Sequence, residues 1–227
     1  MNKLEKNLQS MHTRIVSAAD ACGRRADSIL LLAVSKRKPA SDIRLAYACG
    51  QRDFGENYLQ EALHKMQELD ELEICWHFIG AIQSNKTRSI AESFDWVHCI
   101  DRLKIATRLS EQRPAGREPL NACIQINLDD ESSKAGIDLD ELPALAAAIA
   151  GLPGIRLRGL MTIPAPRADY AEQCQSFARM TDALAALQRQ GLDCDTLSMG
   201  MTGDMEAAIA QGSTLVRIGT AIFGERP

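Results

Sequence analysis

The sequence predicts an α/β protein that folds as a single (β/α)8 TIM barrel with an additional N-terminal helix. Three observations support this fold class. Short apolar segments alternate with amphipathic segments, a pattern that produces parallel strands joined by right-handed crossovers. Eight such pairs fit within about 200 residues, the compact limit of this barrel. The 227 residues, 45% of them hydrophobic, suffice for one core, so residues 1–227 are expected to form one domain.

The strands are predicted from short apolar runs bounded by turn-forming or polar residues. In chain order they cover residues 29–35, 53–57, 74–79, 96–100, 121–127, 155–161, 196–199 and 215–218. The first of them begins with six consecutive apolar residues, which is typical of a strand buried on both faces. A doubly wound open sheet is the alternative fold, but no G-x-G-x-x-G follows this first strand.

The helices are predicted from apolar residues that recur every three or four positions. The first helix ends near Gly23, and its apolar face is formed by Leu4, Leu8, Met11 and Ile15. Pro39 suits the first turn of the second helix, where a backbone N–H has no partner in any case. The later helices are expected at residues 39–49, 58–69, 86–93, 102–112, 138–150, 169–190 and 204–210.

Composition excludes several classes of protein. A net charge of −4 provides no basic surface for nucleic acid. The N-terminus has no apolar signal-peptide region, and no apolar run approaches the roughly 20 residues of a membrane span. Seven cysteines without a C-x-x-C pair predict neither a disulfide framework nor a metal site. We therefore expect a cytoplasmic monomer that binds neither nucleic acid nor membranes.

The first strand ends in Ser35-Lys36, which places an amine at the carboxyl end of a buried strand. In a barrel of this type the active face lies at the carboxyl ends of the strands. A lysine beside an apolar wall has a lowered pKa and attacks carbonyl groups. The alternative is a lysine whose stem covers apolar surface at the rim while its amine stays in water.

Two segments near the C-terminus predict a phosphate site. Gly200 and Gly203 allow backbone N–H groups to turn toward an anion, and Thr202 or Gly203 is expected to cap the helix at 204–210. Ser198 and Thr220 add hydroxyl donors. The alternative is a glycine-rich turn without a ligand. An amine and a phosphate site on one barrel together suggest pyridoxal 5'-phosphate (PLP) as the cofactor.

Six motifs in this order resemble the pyridoxal phosphate homeostasis protein family, from about Leu31 to Gly224. The motifs are Ala33-Val34-Ser35-Lys36-x-Lys38-Pro39, Phe54-Gly55-Glu56-Asn57-Tyr58, Trp76-His77-Phe78-Ile79-Gly80-x-x-Gln83-x-Asn85-Lys86, Gly159-Leu160-Met161-Thr162, Leu197-Ser198-Met199-Gly200-Met201 and Val216-Arg217-Ile218-Gly219-Thr220-x-Ile222-Phe223-Gly224. The resemblance implies an alanine-racemase-like barrel that binds PLP.

The resemblance also implies roles for individual residues. Lys36 would form the Schiff base, Arg217 would face the pyridine nitrogen, and Lys134 would approach the cofactor from a mobile loop. The residues implied at the phosphate are Ser198, Gly200, Thr202, Gly219 and Thr220, and those implied along the ring are Asn57, His77 and Met161. Thr202 stands where the family usually has serine, and it keeps the hydroxyl.

Two functions follow from this cofactor. The resemblance implies a protein without established catalysis and without catalytic residues, which delivers PLP to apo PLP-dependent enzymes and maintains vitamin B6 and amino-acid homeostasis. An arginine beside the pyridine nitrogen disfavours ring protonation and weakens the ring as an electron sink. The alternative is a low-activity PLP-dependent amino-acid racemase. It would need a second base, and the chain ends nine residues after the last predicted strand, so no C-terminal domain is expected to supply one.

Overall fold

The computed structural model describes residues 2–129 and 135–225, and these residues form a closed barrel of eight parallel strands. Each strand pairs with the next along the chain, and the last pairs with the first. The strands are β1 (Leu30–Val34), β2 (Asp53–Glu56), β3 (Cys75–Phe78), β4 (Trp96–Ile100), β5 (Leu120–Ile126), β6 (Ile155–Thr162), β7 (Thr196–Ser198) and β8 (Leu215–Ile218). The predicted barrel is confirmed, and the open sheet is wrong.

The helices surround the barrel and alternate with the strands. They are α1 (Lys3–Ala21), α2 (Ala40–Ala48), α3 (Leu59–Glu68), α4 (Thr87–Ser93), α5 (Leu103–Glu111), α6 (Leu142–Ala150), α7 (Tyr170–Arg189), α8 (Met205–Ala210) and α9 (Thr220–Phe223). The described residues also include two short 3₁₀ turns, Ala26–Ser28 and Leu139–Glu141. Among the described residues, no helix combines the length and the apolar character that crossing a bilayer requires.

The additional N-terminal helix is confirmed as α1, and its sequence explains both its start and its packing. Asn2 accepts a hydrogen bond from the Glu5 backbone while the Glu5 side chain accepts one from Asn2, a reciprocal cap. Its apolar face is buried against α2, α8 and α9 through Leu8, Met11, Ile15 and Ala19. Helix α1 therefore covers the helices that flank β8.

Two helix starts differ from the sequence-based expectation. Helix α8 begins at Met205 with Asp204 as its N-cap, so neither Thr202 nor Gly203 caps it. The Asp204 carboxylate instead accepts a hydrogen bond from the Met201 N–H at 2.6 Å, which closes the preceding turn. The predicted helix at 138–150 begins as a 3₁₀ turn because Pro143 lacks the N–H that a longer α-helix would need there. Helix α9 has only four residues and was not predicted.

The molecule contains two different interiors. The large apolar core lies between the sheet and the helices. A second, small apolar cluster of Cys99, Cys123 and Met161, with Trp96 against it, lies apart from that core. The space enclosed by the strands also holds polar side chains, and this interior is the part of the fold that bears on function.

Candidate functional site

Lys36 lies two residues beyond the end of β1 and is half-buried at the carboxyl end of the barrel. The next residue, Arg37, has the left-handed conformation with φ of 60°, which is uncommon outside glycine. The N–H of Arg37 donates to Glu61 Oε1 at 2.5 Å, and the N–H of Lys38 donates to the Ser35 carbonyl at 3.0 Å. The turn that carries Lys36 is therefore fixed on both sides of the amine.

Polar and charged side chains of neighbouring elements stabilise this turn. We call this group the outer cluster, and its members are Ser35, Glu56, Glu61 and Lys65. Lys65 Nζ donates to Glu56 Oε1 at 2.7 Å, to Glu61 Oε1 at 2.5 Å and to the Ser35 carbonyl at 2.9 Å. The Ser35 hydroxyl donates to Glu56 Oε1 at 2.6 Å. Burial raises the pKa of the Glu56 carboxyl, and Lys65 opposes that shift. The cluster joins β1, β2 and α3 beneath the turn.

Arg217 is the buried cation of the barrel interior, and its side chain is only 5% exposed. Its Nη1 donates to the Ser198 carbonyl at 2.6 Å and to Ser198 Oγ at 2.9 Å. Its Nη2 donates to the Thr162 carbonyl at 2.8 Å. These contacts hold the guanidinium at the ends of β6 and β7. Burial lowers the pKa of Arg217, although a guanidinium keeps its proton in proteins.

Further polar contacts lead from Arg217 toward the opposite end of the barrel. His98 Nδ1 lies 2.8 Å from Ser198 Oγ, and His98 Nε2 lies 3.0 Å from His77 Nδ1. His77 Nε2 in turn lies 3.1 Å from Asp53 Oδ1, at the start of β2. We call Asp53, His77, His98, Ser198 and Arg217 the inner chain. Burial, with the neighbouring His77 and Arg217, holds the pKa of His98 well below its usual range, so its ring is neutral.

The Asp53 end of this chain also contains a thiol. Asp53, Cys75 and His77 offer ligand-type atoms that all lie within 4.8 Å of one another. Cys75 Sγ is 3.3 Å from His77 Nε2, and burial, with Asp53 and Asp95, raises the pKa of this thiol. The three groups are thus engaged with one another, and the thiol is neutral.

The predicted phosphate residues lie at the ends of two neighbouring strands, β7 and β8. Gly200 has φ of +97°, and a Cβ there would lie 2.6 Å from the Ala208 side chain. A Cβ on Gly219 would lie 3.2 Å from the Val34 carbonyl of β1. Gly203 has open space around it and no positive φ, so its backbone does not require glycine. Thr202 is half-buried, and Thr220 is exposed at the first position of α9.

The predicted ring-lining residues are placed at different depths. Asn57 follows β2, and its buried Oδ1 has no hydrogen-bond partner among the described residues. A cleft of about 430 Å³ opens beside it, lined also by Tyr58, Gly80 and Lys86. His77 and Met161 lie deeper, both buried in the interior. Ser198 is also deeper than a rim position, because its hydroxyl is fully buried against His98 and Arg217.

One predicted residue cannot be placed, and several functional residues were missed. Lys134 lies outside the described residues. Sequence reasoning did not single out Asp53, His98 or Lys65. A signal for His98 was available, because it stands as a polar residue within the otherwise apolar run of β4. No comparable signal marks Lys65, which resembles an ordinary solvent-facing helix lysine until its partners are known.

Comparisons with known proteins extend over the whole chain. Residues 3–227 match the family described as "Alanine racemase, N-terminal domain". The pyridoxal phosphate homeostasis protein of Pseudomonas aeruginosa is 58% identical over 226 residues, which cover 100% of this chain and 97% of that protein. The protein of the same name from Escherichia coli is 57% identical over 229 residues, covering 100% of this chain and 98% of that protein.

Solved structures agree with these matches. PipY of Synechococcus elongatus with PLP bound is 37% identical, with a TM-score of 0.86 and coverage of 98% of this chain and 100% of that chain. Alanine racemase from Corynebacterium glutamicum is 19% identical, with a TM-score of 0.69 and coverage of 97% of this chain and 61% of that chain. The racemase likeness shows the fold alone. From the family match and the whole-chain relatives, the chain belongs to the pyridoxal phosphate homeostasis protein family, whose barrel is that of the alanine racemase N-terminal domain.

Proposed function

We propose that this protein binds PLP through a Schiff base with Lys36, as one barrel domain over residues 1–227, and hands the cofactor to apo PLP-dependent enzymes. Through this it would maintain vitamin B6 and amino-acid homeostasis. The observation that carries the proposal is strand order. Because β8 pairs with both β1 and β7, the Lys36 turn, the Gly200 turn and the Gly219–Thr220 step are neighbours at one rim.

The residues present fit PLP. Bound PLP supplies an aldehyde that condenses with a primary amine, which Lys36 offers at the rim. Gly200 leaves no room for a side chain against Ala208, and a Cβ on Gly219 would press on the Val34 carbonyl, so both positions favour bare backbone at the rim, as a phosphate cradle requires. The N–H groups of Ile222 and Phe223 already donate to the Gly219 carbonyl, so those of Thr220 and Ala221 would donate to the phosphate, beside the hydroxyls of Thr202 and Thr220.

The inside of the barrel would set the polarity around the ring. Arg217 would direct its guanidinium toward the pyridine nitrogen and so oppose a second positive charge there. Asn57, with its unsatisfied buried Oδ1, would meet a donor on the cofactor. Ser198 would act through Arg217, because its hydroxyl already contacts both Arg217 and His98. The names of the whole-chain relatives support a holding role.

Trapping the cofactor tests the site. Purified protein should be yellow, and borohydride should fix PLP irreversibly to Lys36, located by mass spectrometry. Lys36→Ala should lose the imine absorbance while retaining some PLP through the phosphate site. Lys38→Ala is the matched control, since this nearby amine donates to the Glu225 carbonyl on the surface. An adduct on any other lysine would contradict the assignment.

Transfer tests the delivery role. The loaded protein should reconstitute an apo PLP-dependent enzyme faster than its cofactor leaks into buffer. Lys134→Ala should slow this transfer while leaving the Lys36 imine intact. Equal rates of transfer and leakage would refute delivery. Sustained racemisation of one amino acid, abolished by Lys36→Ala, would replace the holding role with an enzymatic one.

A further inference from the structure

The inner chain connects two groups of opposite charge through the interior of the barrel. Arg217 lies at its carboxyl end, and Asp53 lies at the start of β2 near the other end. Three side chains, Ser198, His98 and His77, lie between them, with successive contacts of 2.9, 2.8, 3.0 and 3.1 Å. All three intervening side chains are fully buried. In such a continuous series each hydrogen bond polarises the next, so that the bonds strengthen one another.

The chemistry of the two end groups fixes every proton between them. A guanidinium only donates hydrogen bonds and a carboxylate only accepts them. When each of the two rings carries a single proton, His77 donates from Nε2 to Asp53 and accepts at Nδ1 from His98 Nε2. His98 Nδ1 then accepts from the Ser198 hydroxyl, which accepts from Arg217. Every donor therefore points in one direction, from Arg217 toward Asp53.

This arrangement stabilises the buried guanidinium of Arg217. A buried cation without a counter-ion is strongly disfavoured. Among the ion pairs of the described residues, none within 4.0 Å includes Arg217. Asp204 acts on Arg217 only from a distance, and its Oδ1 already accepts from the Met201 N–H. Among residues 2–129 and 135–225, the chain to Asp53 is a hydrogen-bonded route that links a carboxylate to the guanidinium.

We propose that Asp53 is the remote counter-ion of Arg217, and that His77 and His98 are positioning residues that hold Ser198 and the guanidinium in place. The consequence for the cofactor rests on the proposed function, because Arg217 would face the PLP ring. Asp53 would then strengthen PLP binding from the far end of the barrel. The arrangement of protons, in contrast, is a property of the protein without cofactor.

The first experiment tests the proton arrangement in the apo protein. Long-range ¹H–¹⁵N correlation spectra of histidine-labelled protein report which nitrogen of each ring carries the proton. We expect His77 and His98 both to carry it on Nε2. A proton on Nδ1 of either ring would overturn the proposal, whether or not the protein binds PLP. This readout separates failure of the inference from failure of the proposed function.

The second experiment removes the remote charge from the loaded protein. Asp53→Asn keeps an oxygen that accepts from His77 and removes only the charge, at a side chain that is 23% exposed. We expect PLP to bind about three- to tenfold more weakly, the difference between a charge-assisted and a neutral hydrogen bond, with a shift of the cofactor absorbance. Asp193→Asn is the control, because this exposed carboxylate precedes β7 outside the chain.

Two results complete the test. His98→Gln interrupts the chain at its middle and should weaken PLP binding at least as much as Asp53→Asn, with the overall fold checked by the dispersion of the amide spectrum. Equal PLP affinity and equal absorbance in Asp53→Asn, Asp193→Asn and the unaltered protein would show that Asp53 does not act on Arg217. Wild-type protein that binds no PLP would refute the proposed function, and the tautomers of the apo protein would still decide the inference.

Discussion

The outer cluster and the inner chain solve the same problem, burial of charge near the rim, in opposite ways. In the outer cluster opposite charges touch, with Lys65 Nζ 2.7 Å from Glu56 Oε1 and both side chains at most 5% exposed. In the inner chain the cation and the anion are separated by three intervening side chains. The first arrangement fixes the backbone that carries Lys36, and the second fixes the side chain of Arg217.

The two arrangements respond differently to the loss of one partner. In the outer cluster one ion pair provides most of the stabilisation of each buried charge. Removal of one partner therefore leaves the other charge buried and unpaired. In the inner chain several hydrogen bonds share the stabilisation of the buried charge, so losing an end group disturbs the orientation of Arg217 more than it lowers the stability of the fold. Stability measurements should therefore respond most to the outer cluster, and cofactor binding should respond most to the inner chain.

The largest expected effect comes from breaking the outer cluster. Lys65→Met should lower the free energy of unfolding by about 3–5 kcal/mol, because Glu56 would remain buried without its cation. Urea unfolding followed by circular dichroism measures this loss. Lys104→Met, at an exposed helix position, should change it by less than about 0.5 kcal/mol. Adding Glu56→Gln to Lys65→Met should recover part of the loss, and a loss below about 1 kcal/mol in Lys65→Met would contradict the comparison.

A smaller effect should appear in the pH dependence of stability through His98. Since the folded protein holds the pKa of His98 well below its usual range, only the unfolded chain takes up this proton as the pH falls below about 6.5. The free energy of unfolding should then fall by up to about 1.4 kcal/mol per pH unit until the folded pKa is reached. The raised pKa of the Glu56 carboxyl has the opposite effect, because its contribution to the free energy of unfolding is lost as the pH rises through the folded pKa.

Two variants isolate the His98 contribution. His98→Gln should flatten the stability profile between pH 6.5 and more acidic values, while His12→Gln, at an exposed position of α1, should leave it unchanged. Both variants keep Glu56, so the difference between their slopes belongs to His98. Parallel slopes for the two variants would show that His98 takes up its proton equally well in the folded state.

The smallest effect is expected at Cys75, and it tests whether the inner chain ends at Asp53. Cys75→Ser replaces a neutral thiol that touches His77 Nε2 at 3.3 Å. We expect the free energy of unfolding to change by less than about 1 kcal/mol and PLP affinity to stay constant, because Asp53 already accepts from the same nitrogen. Equilibrium unfolding and PLP titration together measure both quantities. A clear loss of PLP affinity would extend the chain to Cys75.

The sequence predicted the barrel because strand order follows from local patterns. The strand β1, predicted at residues 29–35, is observed at Leu30–Val34, since its apolar run is both long enough and clearly ended by Ser35-Lys36. The four-residue helix α9 was missed because one turn has too few positions to show helical periodicity. The cap of α8 was predicted at Thr202 or Gly203, one or two positions too early, because Asp204 performs that role from within the predicted helix.

Sequence motifs predicted the residues of the site. They did not predict the network of buried charged and polar side chains that supports those residues. Lys36, Gly200 and Gly219 stand at strand ends, where a pattern of apolar residues followed by polar ones marks the rim. The inner chain joins His98 to Ser198 across 100 positions, and no local spacing records that contact. Closure of the barrel places His98 of β4 across its interior from Ser198 of β7, and the register of β2 with β3, which sets Asp53 beside Cys75 and Gly55 beside His77, brings Asp53 close to His77.

The left-handed turn at Arg37 has a consequence for the rate at which the cofactor leaves. Two hydrogen bonds define this turn, from the Lys38 N–H to the Ser35 carbonyl and from the Arg37 N–H to the Glu61 carboxylate of α3. The backbone of the turn therefore loses little conformational entropy when Lys36 condenses with an aldehyde, and it regains little when that bond is hydrolysed. Residence time should therefore follow the hydrolysis of one carbon–nitrogen bond, which water and competing amines control, rather than a slow opening of the barrel.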